Sequence, residues 1–145
     1  MRDRARVVFD TSTLIGAMLK PNSVPRHALL RAVDQCQICA SDATLDELRA
    51  VLQRPKFERY LALAQRLNFL DLVVRYVHQV EVDAHSVQLS EDACRDPKDA
   101  PFLALALSSH AVALLSSDND LLTLHPWNNV AILTPSEFLT QMPAR

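Results

Sequence analysis

Five carboxylates stand where a strand is expected to end or a helix to begin. They are Asp10, Glu47, Asp99, Asp118 and Asp120. Each lies beside an apolar run, where an unpaired negative charge is unfavourable. If the fold brings these acids together, they repel one another unless a cation is present. Mg²⁺ and Mn²⁺ prefer oxygen ligands, so the pattern predicts a metal-dependent phosphodiesterase.

Two of these acids follow predicted strands. Asp10 comes directly after the apolar run Val7–Phe9, and Asp118 comes two serines after Ala113–Leu115. Ligands of parallel sheets bind beyond the carboxyl ends of the strands, so both acids are expected at one edge. Either could instead cap the helix that follows it. Two strand-end aspartates together favour a shared site over two coincident caps.

The remaining acids have structural alternatives as well. Thr44 and Glu47 have capping-box spacing, so Glu47 could cap the start of its helix. Its position near an apolar stripe instead favours a side chain that faces a neighbouring element. Of Asp96 and Asp99, one is expected to be a cap and the other a ligand. Asp99 is favoured as the ligand because it sits closer to the apolar helix. Asp120 has the weakest support.

Glycine content excludes several enzyme classes. The chain has a single glycine, Gly16, among 145 residues. Phosphate-cradling loops, dinucleotide fingerprints and the G-x-S-x-G nucleophile elbow each need several glycines, so all three are excluded. The net charge of −2 argues mildly against non-specific DNA coating, but it does not exclude a nuclease.

Cysteine content and hydropathy indicate a cytoplasmic protein without membrane association. Three cysteines, an odd and sparse number, indicate a reducing compartment. Cys36 and Cys39 have C-x-x-C spacing, but in a strand residues three apart face opposite sides, which disfavours a redox or zinc site. No apolar run reaches the roughly 18 residues of a membrane-spanning helix.

Short apolar strands alternate with helices along the chain. This pattern predicts an α/β fold, a three-layer α/β/α sandwich with a central, mainly parallel sheet of four to five strands. No linker, repeat or low-complexity tract is present, so residues 1–145 are expected to form a single domain. The polar segment Ser86–Lys98 is predicted to be a loop, and Val80–Val82 a short strand.

The chain resembles the PIN-domain nucleases over nearly its whole length. Each motif is weak alone, but the ordered set is specific. The motifs are Val7–Ser12, Leu45–Leu48, Asp96–Asp99 and Leu114–Leu122. The segments Leu48–Phe57 and Ile132–Leu139 are similar to the bacterial branch of toxins in toxin–antitoxin pairs.

The resemblance implies a metal-dependent endoribonuclease that uses Mg²⁺ or Mn²⁺, with a small antitoxin protein as partner and a homodimer as a further expectation. The implied catalytic acids are Asp10, Glu47, Asp99 and Asp118. Of these, Asp10, Asp99 and Asp118 are the implied metal ligands. The implied auxiliary residues are Ser12, Asp96 and Asp120.

Two positions depart from the family pattern. Ser12 stands where Asn is common, and Ala100-Pro101 stands where polar residues often follow the third acid. These departures leave open a catalytically impaired module that acts by binding RNA or a protein. A third hypothesis, phosphotransfer through Asp10, is disfavoured because phosphatases of that type place a second Asp at the position of Ser12.

A basic run follows Glu47. Its members are candidates for holding the RNA backbone, with an ordinary solvated helix face as the alternative. They are Arg49, Arg54, Lys56 and Arg59.

Overall fold

A computed structural model describes residues 4–143, so the ends of the expected domain 1–145 lie outside the described residues. Its strands are β1 Arg6–Phe9, β2 Gln37–Ala40, β3 His78–Gln79, β4 Ala113–Leu115 and β5 Ala131–Leu133. Its α-helices are α1 Thr11–Leu19, α2 Val24–Gln35, α3 Asp42–Leu52, α4 Leu63–Tyr76, α5 Ala84–Ala93, α6 Ala100–Ser108, α7 Asn119–Leu122 and α8 Pro135–Gln141. Short 3₁₀ turns cover Pro55–Phe57 and Pro97–Asp99.

The five strands form one parallel sheet in the order β3-β2-β1-β4-β5. Val7 of the central strand pairs with Ile38 on one side and with Ala113 on the other. Because helices cover both faces, the inner strands carry continuous apolar runs rather than an alternating pattern. Only their first residues, Arg6 in β1 and Gln37 in β2, are polar. The predicted three-layer α/β/α fold is confirmed.

The helices divide between the two faces of the sheet. Leu14 of α1, Leu48 of α3 and Phe138 of α8 belong to the core on one face. Leu103 of α6 and Leu121 of α7 belong to the core on the other. The chain adds strands outward to β3 and then crosses back to place β4 beside β1. This reversal opens a crevice at the carboxyl ends of β1 and β4, where ligands of such sheets bind.

The two cysteines of the C-x-x-C sequence lie on opposite sides of the sheet, as their spacing predicts. Cys36 ends α2 and packs in the first core, whereas Cys39 in β2 packs in the second. The spacing therefore builds no shared thiol site.

The prediction of a loop over Ser86–Lys98 is wrong for residues 86–93, which belong to α5. Asp83 caps this helix by accepting a 2.7 Å hydrogen bond from the backbone N–H of Ser86. Ser86 and Ser90 are buried in α5, which packs against α6. Because small hydroxyl residues occupy the buried positions, the helix lacks the apolar stripe by which a sequence pattern is recognised. The predicted strand Val80–Val82 is also misplaced, since β3 comes earlier.

The buried guanidinium of Arg66 binds backbone carbonyl oxygens at and beyond the end of α3. Arg66 in α4 is 1% exposed and donates to the carbonyl oxygens of Leu52 at 2.6 Å, Leu61 at 2.9 Å and Arg54 at 3.2 Å. Its remaining nitrogen forms a 2.5 Å ion pair with Glu58. The guanidinium thus satisfies the Leu52 carbonyl, which the end of α3 leaves without a helical partner, and two carbonyls of the segment between α3 and α4.

Within residues 4–143, no helix is both long and apolar enough to cross a membrane.

Candidate active site

Three aspartates converge in the crevice beyond β4. One carboxylate oxygen from each of Asp99, Asp118 and Asp120 lies within 4.8 Å of the other two. All three side chains are half-buried. Asp99 precedes α6, whereas Asp118 and Asp120 stand at the start of α7, so the cluster depends on how these helices pack. The structure therefore includes Asp120 in the acid cluster, although this residue had the weakest support from the sequence.

Asp10 faces the same crevice from the end of β1 and is only 5% exposed. Its backbone N–H donates to the carbonyl of Leu115 at 3.1 Å, which fixes it to the end of β4. Its Oδ1 caps α1 by accepting from the N–H of Thr13 at 2.9 Å, and it also accepts from the Ser12 hydroxyl at 3.3 Å. Both hydrogen bonds are accepted by Oδ1, so the same carboxylate can cap α1 through Oδ1 and bind a metal ion through Oδ2.

Asp118 combines the same two possibilities. Its Oδ1 caps α7 by accepting from the N–H of Asp120 at 3.0 Å. Its own N–H donates to the hydroxyl of buried Ser116 at 2.9 Å. Ser116 is in turn joined to Leu133 of β5 by a 2.9 Å backbone hydrogen bond. The loop that carries Asp118 is thus held rigidly by a serine that sequence reasoning did not single out, although Ser-x-Asp is a recognisable turn pattern.

Asp99 has the most perturbed environment of the acids. Burial first, and then the negative charges of Asp118 and Asp96, raise the pKa of Asp99 to about 7. A hydrogen bond with Asp118 and the charge of Asp10 act in the same direction. Its Oδ2 is buried and has no hydrogen-bond partner within residues 4–143. A buried, unpartnered carboxylate oxygen among other acids fits a cation, which would satisfy the atom and offset the repulsion.

Asp96 and Asp99 serve different purposes. Asp96 caps the 3₁₀ turn by accepting a 3.0 Å hydrogen bond from the N–H of Lys98. Asp99 precedes α6 but makes no side-chain capping bond there. Its carboxylate is therefore left to the acid cluster.

The capping interpretation of Glu47 is wrong. The capping box of α3 is formed by Ser41 and Thr44, whose side chains each accept a hydrogen bond from the other's backbone N–H. Glu47 instead accepts a hydrogen bond through Oε2 from the hydroxyl of Thr11. Thr11 follows Asp10 directly, so this contact ties Glu47 to the end of β1. Sequence reasoning missed Thr11, whose only signal is its place beside the first acid.

A known protein family matches most of the chain. A family model described as PIN domain matches residues 6–120. The chain belongs to the PIN-domain family. This PIN domain is 26% identical over 147 residues to the uncharacterized protein MJ1680 of Methanocaldococcus jannaschii, covering 95% of this chain and 92% of that protein.

Three solved structures share the fold of this PIN domain. PAE2754 from Pyrobaculum aerophilum has a TM-score of 0.65 at 17% identity, covering 94% of this chain and 88% of that one. VapBC2 from Rickettsia felis, bound to a DNA fragment from its promoter, has a TM-score of 0.62 at 14% identity, covering 88% and 96%. VapC20 of Mycobacterium tuberculosis, a sarcin–ricin loop cleaving toxin, has a TM-score of 0.54 at 13% identity, covering 79% and 91%.

The basic run of this PIN domain is solvent-exposed, and the side chains of Arg49, Lys56 and Arg59 contact residues close to them in the sequence. Arg49 forms an exposed 3.2 Å ion pair with Asp46, one turn away on α3. Lys56 and Arg59 each stand 5.2 Å from the ring centroid of the aromatic residue that follows them. Exposed pairs of this kind contribute little to stability, so these cations remain free to bind a polyanion. A role for Arg49, Arg54, Lys56 and Arg59 in RNA binding stays a prediction.

Proposed function

We propose that this PIN domain is a metal-dependent endoribonuclease that hydrolyses RNA phosphodiester bonds. One observation carries the proposal: Asp99 has a buried, unpartnered oxygen within a cluster that includes Asp118 and Asp120. Membership of the PIN family, and the name of the similarly folded VapC20 as a sarcin–ricin loop cleaving toxin, support the choice of substrate.

The donor set of the cluster fits a hard divalent cation. Asp99, Asp118 and Asp120 would hold it from one side, and Asp10 from the end of β1. All four offer carboxylate oxygens, which suit Mg²⁺ or Mn²⁺, whereas zinc sites usually include His or Cys. When bound, the cation supplies a water of lowered pKa and neutralises charge on the scissile phosphate.

The residues of the chain position the reactants. Asp10 and Asp118 are held rigid by the caps they form, so their carboxylates need little reorganisation. The Thr11 hydroxyl donates a hydrogen bond to Oε2 of Glu47, so Oε1 would be available to accept a hydrogen bond from the attacking water. Attack in line at phosphorus breaks the bond to the 3′ oxygen. The products would carry a 5′-phosphate and a 3′-hydroxyl, as the family resemblance implies.

The biological setting that fits best is a cytoplasmic toxin of a toxin–antitoxin pair. The support is the fold shared with VapC20, a toxin, and with VapBC2. A small antitoxin protein and a homodimer are the partners that this role implies. The exposed basic run would hold the RNA backbone.

The test is cleavage of RNA by purified protein with Mn²⁺ or Mg²⁺. We expect Asp10→Asn and Asp99→Asn to lower the rate by roughly a hundredfold or more, because each removes a charge that the metal requires. Asn also serves well as a helix cap, so Asp10→Asn should keep the fold. The control is Asp92→Asn, an exposed site on α5 that should retain full activity. Cleavage by the unaltered protein no faster than by Asp10→Asn would refute the proposal.

A binding module without catalysis is the second candidate. It is favoured by Ala100-Pro101, which places apolar side chains directly after Asp99. Calorimetry with Mn²⁺ separates the candidates when it is combined with the cleavage assay. Carboxylate-dependent Mn²⁺ binding together with cleavage supports the enzyme, whereas absence of both supports the binding module.

A further inference from the structure

A cavity of about 430 Å³ opens at the carboxyl ends of β2 and β3, next to the acid cluster. Its walls come from the start of α3, the segment after β3, one face of α5 and the start of α6. Pro97 and Ala100 line it, and Asp99 lies between them in the chain. We call this the side cavity. It adjoins the place where the scissile phosphate would bind, and its size falls in the range of small-ligand sites.

The walls of the side cavity are mainly aliphatic. Val80, Val82 and Val87 form one part, and Ala100 and Ala104 form another. The two alanines are four residues apart on α6, so they present one strip of small side chains. Such a strip leaves room for a flat ring and offers it an apolar surface on which to lie.

The polar groups inside the side cavity are already satisfied by the protein. The hydroxyl of buried Ser90 donates to the carbonyl of Val87 at 2.8 Å. Buried Ser41 exchanges hydrogen bonds with Thr44 in the capping box. Discrimination must therefore come from groups at the rim.

The rim is acidic. Asp42, Glu81 and Glu91 line the opening, and none of the lining residues described within 4–143 is basic. Asp42 already accepts a hydrogen bond from the side-chain amide of Gln79. Glu81 and Glu91 are exposed, and neither side chain forms a hydrogen bond or ion pair within the described residues. Ionised carboxylates only accept hydrogen bonds, so the rim repels a phosphate and attracts a ligand with N–H donors.

We propose that the side cavity receives an unpaired base of the RNA substrate, next to the scissile phosphate, and that Glu81 and Glu91 select bases that carry an amino group. The proposal rests on the proposed ribonuclease function, which places an RNA strand across the adjoining acids. Guanine, adenine and cytosine have an exocyclic amino group that can donate to a carboxylate. Uracil instead places carbonyl oxygens on both sides of its single ring N–H, and the rim carboxylates would repel them.

The first test measures binding without catalysis. Guanosine, cytidine and uridine, which carry no phosphate, are titrated into the unaltered protein in EDTA, and valine methyl resonances are followed by NMR. We expect guanosine and cytidine to shift the methyls of Val80, Val82 and Val87, with a much smaller effect from uridine. Val74, exposed on α4 outside the cavity, is the internal reference and should not shift.

The second test measures specificity during cleavage, with RNA oligonucleotides that differ in one unpaired base. We expect the unaltered protein to favour guanine over uracil about tenfold in kcat/KM, because mismatched polar groups in a site are poorly tolerated. The double change Glu81→Gln with Glu91→Gln should bring this ratio close to one. Asp92→Asn, next to Glu91 but outside the cavity lining, should leave the ratio unchanged.

A third variant fills the cavity. Val87 is 39% exposed, so Val87→Phe can enlarge the side chain without disturbing the core, and it should raise KM about tenfold while kcat changes little. Val74→Phe, at a valine that is 44% exposed elsewhere, is the matched control.

The outcomes separate this inference from the proposed function. If RNA is cut but the cavity valines do not shift, or uridine binds as well as guanosine, the base site is refuted and the ribonuclease stands. If no RNA is cut, the ribonuclease proposal fails and the nucleoside titration decides alone. Selective shifts then support the base site, and their absence overturns it.

Discussion

Removing the charge of Asp99 should stabilise the metal-free protein above pH 7. Burial and the neighbouring acids raise the pKa of Asp99 to about 7 in the folded state. In the unfolded chain its pKa returns to the ordinary value of 3.8. Between these two values the folded protein retains a proton that the unfolded chain has released. The contribution of Asp99 to the free energy of unfolding is therefore fully present below its unfolded pKa and is lost as the pH rises through about 7.

The magnitude follows from the difference between the two pKa values. From the ordinary value of 3.8 to about 7 is a shift of about 3 units, and each unit corresponds to roughly 1.4 kcal/mol. The upper bound is thus roughly 4 kcal/mol. Asp99 is half-buried and partly screened by water, so we expect an observed effect of about 1–2 kcal/mol. Asparagine has nearly the same shape and cannot ionise, so Asp99→Asn should recover this free energy at pH 8.

The assay is urea denaturation of both proteins in EDTA from pH 5 to pH 8. The difference in the free energy of unfolding between Asp99→Asn and the unaltered protein should grow with pH. Taking this difference cancels the histidines, which titrate in the same window. Excess Mg²⁺ should reverse the order, because the metal stabilises only a protein that binds it. Parallel stability curves, or a less stable Asp99→Asn at pH 8 in EDTA, would refute the reasoning.

Three other substitutions test single contacts. Arg66→Met should lower the free energy of unfolding by about 2–4 kcal/mol in urea denaturation, because it leaves buried carbonyls without donors. Glu58→Gln, at the exposed end of the ion pair, should lower it by under about 1 kcal/mol. Equal effects of the two substitutions would contradict this prediction. Thr11→Val should lower the cleavage rate roughly tenfold, because Glu47 is then misplaced. Thr11→Ser keeps the hydroxyl and should retain the original rate. A loss of stability instead of activity would show a merely structural role for Thr11. Ser41→Ala should lower the unfolding free energy by about 1 kcal/mol through loss of the capping box, and no change would contradict the cap.

The sequence by itself determined most of the element order, apart from α5 and the position of β3, and several helix caps. Thr134 and Glu137 form the capping box that their spacing predicts, with Pro135 in the first turn. Asp10 directly follows the apolar run of β1, and Asp118 follows that of β4 after two serines, so both carboxylates stand near strand ends. Features of this kind depend on residues within a few positions of one another, so they can be recognised from the chain alone.

Only the tertiary structure decided which acids meet and what surrounds them. Asp120 joins Asp99 because the crossover after β3 returns α6 to the side of β4, a relation that spacing along the chain does not contain. Glu47 accepts a hydrogen bond from Thr11 instead of capping the start of α3, because α1 and α3 pack together. Asp99 acquires its raised pKa from burial and from acids distant in sequence, because electrostatic interactions depend on distance in space.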